Sequence, residues 1–215
     1  HDRFREGSIP PAAPGLQILR TAREQSKVIR RNAGASLVDL GDGVLCVEFH
    51  SKMNAIGGDT LQMLKFALGE VEKNFLGLVV GNQGANFCVG ANIMLMLMEA
   101  QEENWEELDM MARVFQNSTM SLRYSPKPVV VAPFQMVFGG GCEMVLHGDR
   151  VRAAAETYIG LVEVGVGIIP AGGGTKEMLA RAMAQLQTPQ SDPLPYVSKA
   201  FETVALAKVS AAGRG

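Results

Sequence analysis

The chain has 215 residues, 47% apolar and 20% charged, which suits one sizeable, soluble, globular domain rather than two. A formal charge of −2 gives no global electrostatic reason to expect nucleic acid, and no apolar run approaches the length of a membrane span. The three cysteines, Cys46, Cys88 and Cys142, are widely spaced and form no Cys-x-x-Cys pair. Reduced thiols in a cytoplasmic compartment are therefore expected, rather than a zinc site or a disulfide framework.

Residues 1–33 differ from the rest. Pro10, Pro11 and Pro14 mark a breaker-rich linker, and residues 16–31 read as a basic helix. Residues 1–33 hold seven Lys/Arg against three Asp/Glu; a solvated helix is favoured here over an arm that meets phosphates. The first residues carry neither an initiating Met nor a signal-peptide pattern, and residues 209–215 lack a terminal helix signal, so both ends read as cut from a longer protein.

Residues 36–40 and 44–49 read as strands, with Gly41-Asp42-Gly43 predicting a hairpin between them. Asp59 or Thr60 can cap a helix whose Leu61, Leu64, Leu68 and Val71 recur at helical spacing. A short buried strand over 76–80 leads to a glycine-bearing loop over 82–90. A Met/Leu-rich helix is predicted from Asn92, and a longer helix from the acidic stretch 101–109 towards Leu122, ended by Pro126-Lys-Pro128. Residues 129–132 form the next strand, leading towards Gly139-Gly140-Gly141 and a helix over 142–147. A strand over 151–154 and a glycine-rich loop over 165–175 follow, then a helix through Met183, a polar insertion over 185–195, and a last helix over 196–208. Strands alternate with helices, so the class is α/β.

Three features could carry chemistry. The glycine run before a helix lets a ligand approach the backbone and presents unpaired N–H groups, the parts of an oxyanion hole. A tight turn alone would look the same. It is neither a phosphate loop, since no Gly-Lys-Ser/Thr follows, nor a dinucleotide fingerprint, since the Gly-x-Gly-x-x-Gly spacing is missing. Phe87-Cys-Val-Gly-Ala-Asn92 sits at a second such turn, and the two could each aim one N–H at the same oxygen. Glu143 opens an apolar helix, and Glu163 lies in a nearly charge-free stretch over 158–175. A carboxyl in apolar surroundings suggests acid–base work, against the plainer reading of an exposed or ion-paired Glu. His50 and His147 lack ligand spacing and read as core or surface residues. No Gly-x-Ser-x-Gly elbow supports a serine hydrolase.

Together the segments Met53-Asn-Ala-Ile56, 81–93, Lys127-Pro-Val-Val-Val-Ala132 through Phe138-Gly-Gly-Gly-Cys-Glu143, and Val162-Glu-Val-Gly-Val-Gly-Ile-Ile-Pro-Ala-Gly-Gly-Gly-Thr175 resemble the crotonase (enoyl-CoA hydratase/isomerase) superfamily. The likeness runs in order over residues 35–212. Residues 27–50 resemble more narrowly the hydratase region of bacterial proteins fused to a 3-hydroxyacyl-CoA dehydrogenase. The resemblance implies a spiral of ββα units with two roughly perpendicular sheets, here without the usual C-terminal helices, over residues 34–215. It implies oxyanion N–H groups at Ala91 and Gly140, catalytic carboxyls at Glu143 and Glu163, and coenzyme A contacts at Lys52, Asn54, Ala55, Gly90 and Asn92. Its reaction would be hydration of a trans-2-enoyl-CoA in fatty-acid oxidation. Isomerases of the family usually keep only the second glutamate, so a pair favours hydration over Δ3-Δ2 isomerisation. A non-catalytic acyl-CoA-binding module is the reading from another class. No cofactor is implied in this domain; NAD would belong to a dehydrogenase domain of the same protein, and a homo-oligomer is a further expectation. Asn92 departs from the family's usual Asp, and His50-Ser-Lys-Met-Asn-Ala55 departs from its usual approach to Asn-Ala. Met94, Leu95, Met98 and Met111 are candidates for an acyl pocket, with helix packing as the alternative.

Overall fold

The computed structural model describes residues 18–25, 27–188 and 190–212. It contains helices α1 (Leu19–Glu24), α2 (Gly58–Asn74), α3 (Ile93–Gln101), α4 (Trp105–Arg123), α5 (Gly140–Leu146), α6 (Gly174–Met183) and α7 (Leu194–Ala205). The strands are β1 (Val28–Arg31), β2 (Ala35–Gly41), β3 (Val44–Phe49), β4 (Gly77–Gly81), β5 (Val129–Val131), β6 (Gln135–Phe138), β7 (Arg150–Val151) and β8 (Thr157–Gly160).

Six strands form one sheet in the order β1-β2-β3-β4-β5-β7, and β6 and β8 pair in a second sheet. The hairpin of β2 and β3 is antiparallel, as its glycine-bearing turn predicts, whereas β3, β4, β5 and β7 run parallel. Parallel neighbours need crossovers, and helices supply them. The chain passes from β3 through α2 to β4, then through α3 and α4 to β5. The α2 stripe is buried at Met63, Leu64, Ala67 and Val71 against Leu45, Val47, Leu78 and Val80 of the sheet. Leu61 and Leu68 pack at its margin. Each fully buried Leu or Val contributes roughly 1.5–3 kcal/mol, and these branched residues knit α2 to the parallel strands.

Five expectations are corrected. Of the basic helix expected over 16–31, the described residues keep only α1, and Val28–Arg31 instead pairs antiparallel with β2; the linker expected around Pro10, Pro11 and Pro14, with residues 16, 17 and 26, lies outside the described residues. β-branched Val28 and Ile29 favour extension, and Lys27 O accepts from Asp39 N at 2.9 Å, tying the stretch to its neighbour. The sheet therefore begins upstream of Gly34. Gly57, not Asp59 or Thr60, caps α2, without a side-chain bond; Thr60 is buried in its first turn. The strand over 129–132 does not lead directly into the glycine run. Pro133 intervenes, Gln135 adopts a φ of 49°, and the chain changes sheet to form β6. Finally, the strand over 151–154 shrinks to Arg150–Val151, and the last helix begins at Leu194.

Candidate active site

The second sheet positions the site. β6 and β8 run parallel and in register from Gln135↔Thr157 to Phe138↔Gly160. Both therefore end at the same edge, where the chain beyond a parallel strand commonly builds a site. Gly139 N–H donates to Gly160 O at 3.0 Å and closes that edge. The chain leaving β6 turns through Gly139 into α5, which carries Glu143; the chain leaving β8 carries Glu163 in a 3-10 turn over Glu163–Val166. Twenty residues apart in sequence, the two carboxyls are brought to one place because their strands are neighbours.

The loop over 82–90 reaches the same edge. Asn82 Nδ2 donates to Phe87 O at 2.9 Å, and Asn54 Nδ2 donates to Asn86 O at 2.8 Å. Cys88 N–H donates to Met136 O at 3.1 Å and Phe138 N–H to Cys88 O at 3.0 Å, so the loop runs alongside β6. Ile56 N–H donates to Gly90 O at 2.8 Å. Gly90 has a φ of 95°, and a Cβ there would lie 3.0 Å from Phe138 O and 3.2 Å from Gly140 N. Only glycine permits that approach. It sets Ala91 beside the N-terminus of α5. Among the described residues neither the Ala91 nor the Gly140 N–H has a hydrogen-bond acceptor.

Both carboxyls are buried: Glu143 is 2% exposed and Glu163 8%. Glu143 Oε1 accepts from Gly174 N–H at 2.8 Å. Burial pushes the Glu143 carboxyl up to about 7; the Glu163 charge adds to this, and backbone hydrogen bonds from Gly174 and Gly172 pull against it. Burial also raises Glu163, against the pull of the backbone at Glu163 and Val162. Glu163 Oε2 is buried with no hydrogen-bond partner among the described residues. A Cβ on Gly139 would come within 3.1 Å of Glu163 Oε1, so this carboxyl lies directly over the glycine turn. Cys142 sits by the two glutamates, and burial first, then their charges, raise its thiol to about 12, leaving it a protonated filler at neutral pH.

The other expected residues are less convergent. Lys52 is exposed, Ala55 is half-buried, and Asn92 is exposed, its side chain accepting from Leu95 N–H at 3.4 Å as the cap of α3. Asn54 is buried, and its amide holds the 82–90 loop. Helix packing does not account for Met94, Leu95 and Met98: no residue of α3 is buried, and all three are exposed. Sequence reasoning missed Phe115, whose ring reaches the Gly140 turn, and the polar group of His147, Lys176 and Glu177 beneath Glu143. No local spacing joins α4, α5 and α6 in advance of the fold.

The enoyl-CoA hydratase/isomerase family matches residues 39–188. The chain belongs to this family. It is 52% identical over 196 residues, 91% of its length, to a probable 3-hydroxyacyl-CoA dehydrogenase of Bacillus subtilis, of which it spans 24%. It is 31% identical to the short-chain-enoyl-CoA hydratase of Clostridium acetobutylicum, over 63% of this chain and 51% of that protein. The chain thus spans a quarter to a half of these relatives. Among solved structures, an enoyl-CoA hydratase from Polaromonas superposes with a TM-score of 0.70 at 25% identity, covering 84% of this chain and 66% of the other. The two-sheet α/β architecture is that of the crotonase fold. Among the described residues no helix is long and apolar enough to cross a membrane.

Proposed function

We propose that this domain adds water to a trans-2-enoyl-CoA. The observation that carries the reading is the pair of buried, protonation-poised carboxyls beside two N–H groups without acceptors. The thioester oxygen would lie between Ala91 N–H and Gly140 N–H. As water oxygen bonds to C3, the C2=C3 electron pair moves towards the thioester, and the growing enolate charge is held by these donors. Losing one such donor typically costs about 3 kcal/mol of barrier stabilisation.

Glu143, raised to about 7, is part-ionised at neutral pH and takes the proton from water. Burial also raises the Glu163 carboxyl, and Glu163 is assigned the delivery of a proton to C2. A proton returned from Glu143 to Glu163 through the next water restores the starting state. An isolated glutamate would suffice for Δ3-Δ2 isomerisation, whereas activating a water while protonating carbon uses two groups. Supplying crotonyl-CoA and a 3-enoyl-CoA in parallel tests this. Water addition to the first is expected to dominate. Turnover of the 3-enoyl substrate alone would favour isomerase, and tight binding of both without turnover would favour a non-catalytic module.

Lys52 is suited to a coenzyme A phosphate, with Ala55, Gly90 and Asn92 lining the backbone approach and Asn54 holding the loop beside it. The exposed apolar side chains Met94, Leu95 and Met98 are suited to contact the acyl chain. Likeness to a much longer probable dehydrogenase supports a partner dehydrogenase domain in the same protein, which would hold NAD; the glycine run here lacks the spacing for it. Because Leu19 and Ala22 pack with Val38 and Cys46, we count α1 and β1 as part of the folded domain rather than starting it at Gly34. A homo-oligomer remains part of the proposal.

A further inference from the structure

Beneath the candidate site lies a buried polar group that the chemistry above does not use. His147, at the C-terminal end of α5, is fully buried. Its Nδ1 lies 2.6 Å from the backbone carbonyl of Glu143. A carbonyl only accepts, so Nδ1 carries the proton and donates. Nε2 lies 3.1 Å from Lys176 Nζ. An ammonium only donates, so Nε2 offers its lone pair. The two bonds together specify one form of the ring, the neutral Nδ1–H tautomer.

The charged groups facing the ring support that form. On α6, Lys176 and Glu177 flank it, with Glu177 Oε1 3.8 Å from Nε2 and 3.1 Å from Lys176 Nζ. Arg181 of α6 and Arg123 of α4 lie 3.7 Å and 3.6 Å from the buried Glu177 carboxylate. Glu143 is the acidic neighbour on α5 itself. Burial first, then Lys176 and Arg123, disfavour the charged form of the imidazole, against the pull of the Glu143 carbonyl and Glu177.

The ring also fixes a loop. Gly173 has a φ of 112°, and a Cβ there would fall 2.7 Å from His147 Cε1. The imidazole is therefore wedged under the turn whose next residue, Gly174, donates to Glu143 Oε1 at 2.8 Å. From α4, Gln116 Nε2 donates to Ala171 O and Thr119 Oγ1 to Gly172 O, each at 2.8 Å. His147 thus bonds the Glu143 backbone on one side and supports the donor to the Glu143 side chain on the other.

We propose that His147, locked by Lys176 as the neutral Nδ1–H tautomer, is a positioning residue that sets the Gly174 N–H on the Glu143 carboxyl. This rests on the reading of Glu143 as an acid–base group, but its structural half is testable without turnover. The chain has three histidines, so 15N spectra of the imidazoles can be assigned by difference against His147→Asn. The wild-type ring is expected to be neutral and Nδ1-protonated from pH 6 to 8; an Nε2–H tautomer or an imidazolium at pH 7 overturns the proposal.

Lys176 is half-exposed, so Lys176→Met is expected to leave the fold intact. With the lone pair at Nε2 abandoned, the neutral ring is free to switch to the Nε2–H tautomer and donate to Glu177, and the Gly174 donor shifts. The Glu143 carboxyl, followed by 13C-labelled glutamate and assigned against Glu143→Gln, is then expected to titrate about one pH unit higher. Lys176→Arg restores the wild-type midpoint. In crotonyl-CoA hydration, Lys176→Met is expected to lower kcat about 10-fold with KM unchanged. An unmoved Glu143 midpoint in Lys176→Met overturns the proposal even if hydration is normal in the wild type. A moved midpoint in a protein that hydrates nothing sinks the hydratase reading and leaves the positioning role standing.

Discussion

Replacing Glu143 by Gln tests the electrostatics of the site through stability alone. Gln keeps the shape of Glu and an oxygen to accept the Gly174 N–H, and removes only the titration. In the folded wild type the carboxyl is raised from 4.5 to about 7, mainly by burial. Below pH 4.5 the group is protonated in both folded and unfolded chains and contributes no difference. Between 4.5 and 7 the unfolded chain ionises while the folded one holds its proton, so stability falls as pH rises; above about 7 the loss is complete. A shift of roughly 2.5 units corresponds to about 3 kcal/mol at 1.36 kcal/mol per unit. Urea unfolding of both proteins at pH 4.5 and pH 8.5 reads this directly. The stability of Glu143→Gln relative to wild type is expected to improve by about 3 kcal/mol across that interval. Parallel pH dependence of the two proteins would refute a buried, proton-holding Glu143.

Gly90→Ala forces a Cβ against Phe138 O at a φ of 95°; it is expected to cost about 1–3 kcal/mol of stability and to displace Ala91. Chemical denaturation measures the first effect, and weaker stabilisation of the thioester enolate, seen as a fall in kcat for hydration, measures the second. Cys46, Cys88 and Cys142 are buried, and each thiol is raised to about 12. A disulfide reagent at pH 8 is expected to leave all three unmodified in the folded protein and to titrate all three after denaturation.

Much of this arrangement was legible where local chemistry and tertiary role agree. The hairpin turn, the apolar stripe of α2 and the valine run of β5 each announce their element, because burial follows the element's own period. Glu163 stood out because an ionisable side chain in a charge-free stretch has few reasons to be there. β6 and β8 did not stand out: each is four residues long, and half-buried Gln135 and Met136 with exposed Tyr158 give no period-two pattern. Yet these strands explain why Glu143 and Glu163 meet. The expected basic helix over 16–31 ends in Val28-Ile29-Arg30-Arg31, where two β-branched residues sit beside two charges, and the sheet edge recruits that stretch as β1. His147 was the least legible. Its meaning depends on Lys176 and Glu177, about thirty residues away, and on a carbonyl of its own helix, so no spacing rule could select it.

The central claim is that two buried carboxyls and two backbone donors together hydrate an enoyl thioester. Loss of the conjugated enoyl absorbance of crotonyl-CoA, followed for wild type, Glu143→Gln and Glu163→Gln at pH 7, tests it most directly. The wild type is expected to hydrate the substrate and each variant to lose about 10²–10⁴-fold in kcat, with far-UV circular dichroism unchanged. Hydration by either variant within a few-fold of the wild type would contradict the assignment, and an inactive wild type that binds the thioester would contradict the function itself.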